Sequence, residues 1–163
     1  MKPSLALTLA ACLAACSPQM AAEATSTAAA TGGTAVHRES GLAVVPLTVV
    51  TARGRHEFRV EVAASPAEQQ KGLMFRTAMG PNEGMIFPNS PPQMRSFWMQ
   101  NTVIPLDIIY IGPDRRVLNI VHGEPYSTQS LPSAGPVINV LELNAGRAAE
   151  LGIVPGDRVE WKG

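Results

Sequence analysis

Three charged side chains interrupt segments that are otherwise apolar: Arg76, Asp107 and Glu142. A carboxylate among aliphatic residues must be paired, hydrogen-bonded or protonated, because burying an unpaired charge is very unfavourable. The planar guanidinium of arginine can bind carboxylates through two parallel hydrogen bonds. These residues therefore form either a buried ion-pair network or a polar patch at the bottom of a pocket. Two carboxyl groups could also hydrolyse a glycosidic bond, but the sequence fixes no distance between Asp107 and Glu142.

A second set of candidate residues surrounds Trp98. The segment SFWMQ alternates, with Phe97 and Met99 on one face and Trp98 on the other, which indicates a strand. An exposed Trp98 could stack against a sugar ring or a peptide, while Asn101 and Thr102 supply hydrogen bonds. A core tryptophan beside a tight turn explains the same pattern. The candidate ligand-binding residues are Trp98, Asn101, Thr102 and Asp107, with Arg76 and Glu142 as supporting charges.

Five of the seven methionines lie in the predicted domain and raise the alternative of copper handling, because thioether sulfur is a soft ligand that selects Cu(I). Methionine is also the usual filler of irregular gaps in cores, and there is no Met-x-x-Met repeat or His-rich tract. No His-x-x-x-His spacing, glycine-rich phosphate loop or Ser-His-Asp order occurs. We therefore predict no metal and no cofactor. The methionines are Met74, Met79, Met85, Met94 and Met99.

The first residues have the pattern of an export signal. Lys2 provides a positive charge, and the apolar run that follows is too short to span a bilayer, which takes about 20 residues. Leu-Ala-Ala-Cys, ending at Cys16, resembles the lipobox of bacterial lipoproteins, so residues 1–15 are predicted to be removed and Cys16 lipidated. Cys12 ends a similar motif but leaves a shorter apolar run. Ser17 resembles the outer-membrane default of such lipoproteins. An ordinary secretory signal is the alternative.

Composition divides the rest of the chain in two. Residues 16–41 are rich in Ala, Thr, Ser and Gly, which predicts a flexible tether. Residues 42–163 have the length of one ordinary domain. Both cysteines lie in the signal region, so the domain can have no disulfide. The formal net charge is zero, with 13 basic and 13 acidic residues, and no basic stripe suggests nucleic acid as a partner.

The domain reads as short strands with frequent turns. Residues 44–51 and 56–63 predict a β-hairpin, with Glu57, Arg59 and Glu61 on its solvated face. Ser65, Pro66 and Glu68 predict the capped start of a short helix that ends at Gly72.

Further strands are predicted over residues 106–111, 117–122 and 137–143, with a long loop over residues 124–136 that could border a site. A second short helix over residues 145–151 would be capped by Asn144. Seven or eight strands in all predict a mostly β, antiparallel domain, a sandwich or jelly roll or a barrel-like form, with two short helices. The helices are too short for repeated βαβ crossovers.

Several segments together resemble a known family, the bacterial and archaeal domain of unknown function 192. They are GLMFR (72–76), GMIF (84–87), SFWM with Asn101-Thr102, PLDII (105–109), VLEL (140–143), Ala145-Gly146 and Gly156-Asp157. The resemblance implies a compact, mostly β domain that is often exported. It implies no reaction, substrate or catalytic residue.

These observations favour a lipid-anchored protein of the cell envelope that faces the periplasm and is anchored in the outer membrane. Its domain is predicted to be a non-catalytic module that binds a small ligand, an envelope glycan or a protein partner. A small hydrolase using Asp107 and Glu142, or a copper-handling lipoprotein, is the alternative.

Overall fold

The computed structural model of the chain describes residues 35–162. Cys12, Cys16 and most of the predicted tether lie outside this range. The described residues form ten strands and two short helices. Their bounds are β1 Ala35–Val36, β2 Ala43–Thr51, β3 Gly54–Val62, α1 Pro66–Lys71, β4 Glu83–Gln93, β5 Ser96–Phe97, β6 Leu106–Ile111, β7 Val117–Gly123, β8 Leu131–Pro132, β9 Val137–Asn144, α2 Arg147–Leu151 and β10 Arg158–Trp161.

The strands form one large sheet in the order β1-β2-β3-β4-β9-β6-β7, with β10 paired to β2, and a small sheet of β5 and β8. A mostly β domain with two short helices is therefore confirmed. The sheet is mixed, because β3 and β4 run parallel. The connection between them, which contains α1, is long enough for the crossover that parallel strands require. The sheet curls until Arg116 and Arg158 form one isolated backbone bridge, without closing.

The central strands are buried on both faces. All six residues of β6 are buried, and most of β9 is buried as well. On one face lies the hairpin-side cluster, which includes Leu47, Phe58, Ile109, Leu141, Leu143 and Val159. On the other lies the loop-side cluster, which includes Leu73, Phe87, Met99, Ile108, Tyr110 and Val140. Because side chains alternate along a strand, Asp107 faces the hairpin side and Glu142 faces the loop side.

The first helix begins as its sequence predicts. The Ser65 hydroxyl accepts a hydrogen bond from the backbone N–H of Glu68 at 3.3 Å, and the Glu68 carboxylate accepts one from the Ser65 N–H at 2.7 Å. This reciprocal pair satisfies two of the four N–H groups that a helix start leaves free. Pro66 occupies the first turn and Gly72 ends the helix. Neither helix of residues 35–162 is long and apolar enough to cross a membrane.

The second helix is capped by a different residue from the one predicted. Gly146 occupies the N-cap position of α2. The side chain of Asn144 instead donates to the carbonyls of Met79 at 2.9 Å and Gly80 at 3.1 Å. The Asp107 carboxylate accepts the backbone N–H of Ala148 at 2.9 Å. A side chain 41 residues earlier in the chain thus replaces the local cap, which no local sequence pattern could indicate.

Replacing Asp107 with alanine should leave the Ala148 N–H buried without an acceptor. We expect a loss of about 1–3 kcal/mol in the free energy of unfolding, the usual penalty for such a group. Asp107 also lies 3.6 Å from the His122 ring, and Glu124 lies 3.1 Å from it. Glu124→Ala is therefore the matched control, because it removes the other carboxylate beside His122 and leaves the helix contact intact. Urea unfolding measures both variants. Equal stability of the two would show that Asp107 does not support α2.

Candidate functional site

A pocket opens beside α1 and β5, on the loop side of the central strands. Its cavity has a volume of about 110 Å³. Phe87, Phe97 and Trp98 supply aromatic walls, and Glu142 lies at the buried end. We call this the Trp98–Glu142 pocket. Its lining also includes Gln69, Lys71, Leu73, Arg95 and Thr102.

Glu142 is the unusual residue of this pocket. It is 4% exposed and lies on β9 between Met85 of β4 and Ile108 of β6, its partners in the two ladders. Burial raises the pKa of Glu142 to about 8, and no hydrogen bond or ion pair from residues 35–162 offsets that burial. A carboxyl group in this state is mostly protonated at neutral pH, so it can donate a hydrogen bond as well as accept one.

Arg95 approaches the pocket from the end of β4. Its guanidinium donates to the Gln69 side-chain oxygen at 3.0 Å and lies 5.7 Å from the centre of the Phe97 ring. The ring of Phe97 in turn packs edge-on against Phe87, with ring centres 5.0 Å apart. These contacts fix Arg95 at one side of the cavity while leaving it without a carboxylate partner among residues 35–162.

Trp98 forms the mouth of the pocket, and 51% of its surface is exposed. The alternation of the segment holds in space, because Phe97 and Met99 pack into the loop-side cluster. The strand itself is shorter than predicted and ends at Phe97. On its other side Trp98 borders a shallow groove that also includes Thr128 and Ser130, so part of the predicted long loop does border this site.

The backbone beside the pocket contains three non-glycine residues with positive φ: Phe75, Asn101 and Tyr126, at 64°, 56° and 61°. They lie on adjacent segments, since the Phe75 N–H donates to the Asn101 carbonyl at 2.8 Å and the Tyr126 N–H donates to the Thr102 carbonyl at 3.1 Å. Phe75 and Tyr126 are also exposed. Such conformations carry strain and concentrate at binding and catalytic sites.

The structure brings together half of the residues predicted from the sequence. Trp98, Thr102 and Glu142 line the pocket. Asn101 lies next to Thr102 but is exposed, with its side-chain nitrogen 4.0 Å from the Met74 sulfur. Asp107 lies on the opposite face of the sheet, where it binds the start of α2.

Arg76 belongs to a separate buried ion pair. Its guanidinium donates to both carboxylate oxygens of Glu61, at 2.9 and 3.1 Å. Glu61 was expected on the solvated face of the hairpin, and that expectation is wrong, because Glu61 is buried and His37 and Ser40 contact its carboxylate. The three interrupting charges therefore form no common network, since each is accommodated in a different place.

Lys71, Gln69 and Arg95 are pocket residues that the sequence does not reveal. The sequence around them is polar and predicts exposed positions, and they reach the pocket only because α1 packs beside β5. No group of three or more His, Cys, Asp or Glu side chains within residues 35–162 is placed to hold a metal ion.

The geometry defines a small, mixed-sheet β domain with one buried acid in an aromatic-walled pocket. The chain belongs to the family DUF192, described as an uncharacterised ACR, whose model matches residues 48–161.

The solved structures that are similar to it include two proteins. A protein of unknown function from Novosphingobium aromaticivorans DSM 12444 shares 59% identity over 80% of this chain and 94% of its own, with a TM-score of 0.77. A protein from Sinorhizobium meliloti 1021, described as a candidate transcription regulator, shares 38% identity over 74% of this chain and 95% of its own, with a TM-score of 0.71. No curated protein matches.

Titration of Glu142 should make stability depend on pH. Between its ordinary pKa of 4.5 and the folded value of about 8, the folded chain keeps a proton that the unfolded chain releases. The free energy of unfolding should therefore fall as pH rises through this window, by at most about 1.4 kcal/mol per pH unit.

Glu142→Gln should remove this contribution, whereas Glu57→Gln, a change at an exposed position of β3, should keep it. Urea unfolding of the three proteins is compared between about pH 5 and about pH 8, the range over which the contribution of Glu142 changes. Parallel pH profiles for the wild type and Glu142→Gln would show that Glu142 is ionised in the folded chain.

Proposed function

We propose that this domain is a non-catalytic ligand-binding module and that the Trp98–Glu142 pocket is its binding site. The observation that supports this most directly is Glu142, a buried carboxyl group that faces a cavity and has no partner within the described residues. A protein that only needed a stable core would gain by having an aliphatic residue there. The unpaired acid is explained if a ligand completes its hydrogen bonds.

The pocket has the composition of a small-molecule site. Phe87, Phe97 and Trp98 provide apolar walls, and a few polar groups converge between them. A cavity of about 110 Å³ holds the end group of a ligand rather than a large molecule. The exposed Trp98 would stack on the part of the ligand that remains outside. Free metabolites and the ends of envelope glycans or peptides all meet this description.

The geometry does not favour the hydrolase alternative. Asp107 is opposite Leu143 in the ladder between β6 and β9, whereas Glu142 is opposite Ile108. The two carboxyl groups therefore point to opposite faces of the sheet. A glycosidase places its two carboxyl groups on opposite sides of the glycosidic bond that it cleaves, about 5–10 Å apart, with the substrate between them. A packed sheet leaves no room for a substrate here.

The methionines likewise do not form one copper site. Met85 and Met99 are fully buried in the loop-side cluster, while Met94 is exposed at the end of β4. Met99 fills a gap beside Gly123, where even one added carbon would lie 2.5 Å from its sulfur. This is the ordinary packing role of methionine.

We further propose that Cys16 carries a lipid that anchors the chain in the outer membrane, facing the periplasm. The lipobox-like motif and the absence of other cysteines in residues 17–163 support this. The balanced charge supports a partner other than nucleic acid, so the description of the Sinorhizobium protein is not extended to this chain.

Cys16→Ser should therefore move the protein from the membrane fraction to the soluble fraction of cells. Cys12→Ser is the matched control and should remain with the membrane, because it changes the neighbouring motif only. Fractionation followed by immunoblotting measures both. Retention of the Cys16→Ser protein in the membrane fraction, or release of the Cys12→Ser protein, would contradict the assignment.

The binding site is tested by a thermal-shift panel on the full chain purified in detergent, with cell-wall fragments, sugars, nucleotides, small acids and amines. A ligand that binds only the folded form stabilises it by about 2.7 kcal/mol at a hundredfold excess over its Kd. We expect at least one compound to raise the Tm. Trp98→Ala should abolish the shift, and Val154→Ala, a change at an exposed apolar residue outside the pocket, should keep it. A shift that survives Trp98→Ala would place binding elsewhere.

A further inference from the structure

The ionisable side chains around the pocket come from three separate segments. Lys71 ends α1, Arg95 follows β4, and Glu142 lies on β9. Tyr110 of β6 is the remaining titratable group near Glu142, and its hydroxyl donates to the Leu131 carbonyl. Neither Lys71 nor Arg95 forms an ion pair with a carboxylate of residues 35–162. Within the described part of the chain, the pocket thus has two cations without a carboxylate partner and one acid without a hydrogen-bond or ion-pair partner.

This arrangement indicates the sign of the ligand. When Glu142 is protonated, the lining has a net positive charge and presents an O–H donor at its buried end. The position of Arg95 is fixed by Gln69 and the Phe97 ring, which orders its guanidinium before any ligand arrives. Guanidinium and carboxylate are matched in geometry and charge. An amine would instead meet two like charges.

We propose that the ligand of the Trp98–Glu142 pocket is a small organic acid, or the carboxylate end of a larger molecule. This inference rests on the proposed binding function. The carboxylate accepts hydrogen bonds from Arg95 and from the protonated Glu142, and Lys71 adds charge at the rim. The apolar part of the ligand lies against Phe97 and Trp98.

Proton linkage follows from this geometry. Because the carboxylate ligand requires the protonated form of Glu142, binding holds a proton in place and should weaken as that proton is lost at alkaline pH. The apparent Kd rises in inverse proportion to the protonated fraction. An amine would show the opposite dependence, since it prefers the ionised carboxylate.

Three four-carbon probes that differ only in their polar end separate these cases: butyrate, butyramide and n-butylamine. Isothermal titration calorimetry on the full chain in detergent compares them at about pH 7 and about pH 9, a range in which butyrate stays ionised because carboxylic acids in water titrate near pH 4. We expect butyrate to bind at least tenfold more tightly than the other two at the lower pH. Its affinity should fall about tenfold at the higher pH, and its binding should be lost in Trp98→Ala.

Two variants assign the effect to residues. Arg95→Met should weaken butyrate binding at least tenfold at both pH values. Glu142→Gln keeps a neutral donor at the same position, so the pH dependence of butyrate binding should disappear. Glu57→Gln, at an exposed position on β3, should retain that dependence. Unchanged pH dependence in Glu142→Gln would overturn the role given to Glu142.

The outcomes also separate the two proposals. Binding of n-butylamine or butyramide that depends on Trp98, with no binding of butyrate, would overturn the carboxylate inference and leave the binding function standing. No Trp98-dependent binding of any probe would overturn the carboxylate inference. If the wider thermal-shift panel also gave no shift that depends on Trp98, the binding function would fail with it.

Discussion

Strands β6 and β9 are buried on both faces over most of their length, so the protein itself must accommodate any acidic side chain placed on them. Each carries one acidic residue, and the two are accommodated differently. The Asp107 carboxylate accepts a hydrogen bond from the backbone N–H of Ala148 at the start of α2. Glu142 has no such partner among residues 35–162, and burial raises its pKa to about 8, so it is mostly protonated at neutral pH. The placement of α2 and the character of the pocket both follow from this double burial.

Local features of the fold could be predicted from the sequence, because they depend on neighbouring residues. The capping box of α1 is a contact between residues three apart, and the bounds of β6 follow from one unbroken apolar run. The parallel pairing of β3 with β4 could not be predicted in this way. It depends on which edge of β3 remains available after β2 has paired with the other edge. Alternation along a strand does not encode that choice.

The candidate site shows the same division. Trp98 and Thr102 lie close in the chain, so one short segment could suggest both. Asp107 and Glu142 look equivalent in the sequence, because each interrupts an apolar strand. In the pairing of β6 with β9, Asp107 is opposite Leu143 and Glu142 is opposite Ile108. The two acids are thus one position apart in the ladder, so their side chains point to opposite faces of the sheet. Arg95 and Lys71 join the pocket through the packing of α1 beside β5, which has no local signature.

The two tryptophans of the chain lie in contrasting surroundings. Trp161 packs against the hairpin-side cluster on β10, whereas Trp98 is exposed at the mouth of the pocket. Indole emission depends on the polarity around the ring, so the fluorescence of the folded domain combines a partly shielded component from Trp161 and an aqueous component from Trp98. Only the aqueous component belongs to a residue that a bound molecule would cover. The domain therefore carries its own optical reporter of pocket occupancy, with a second indole as an internal reference.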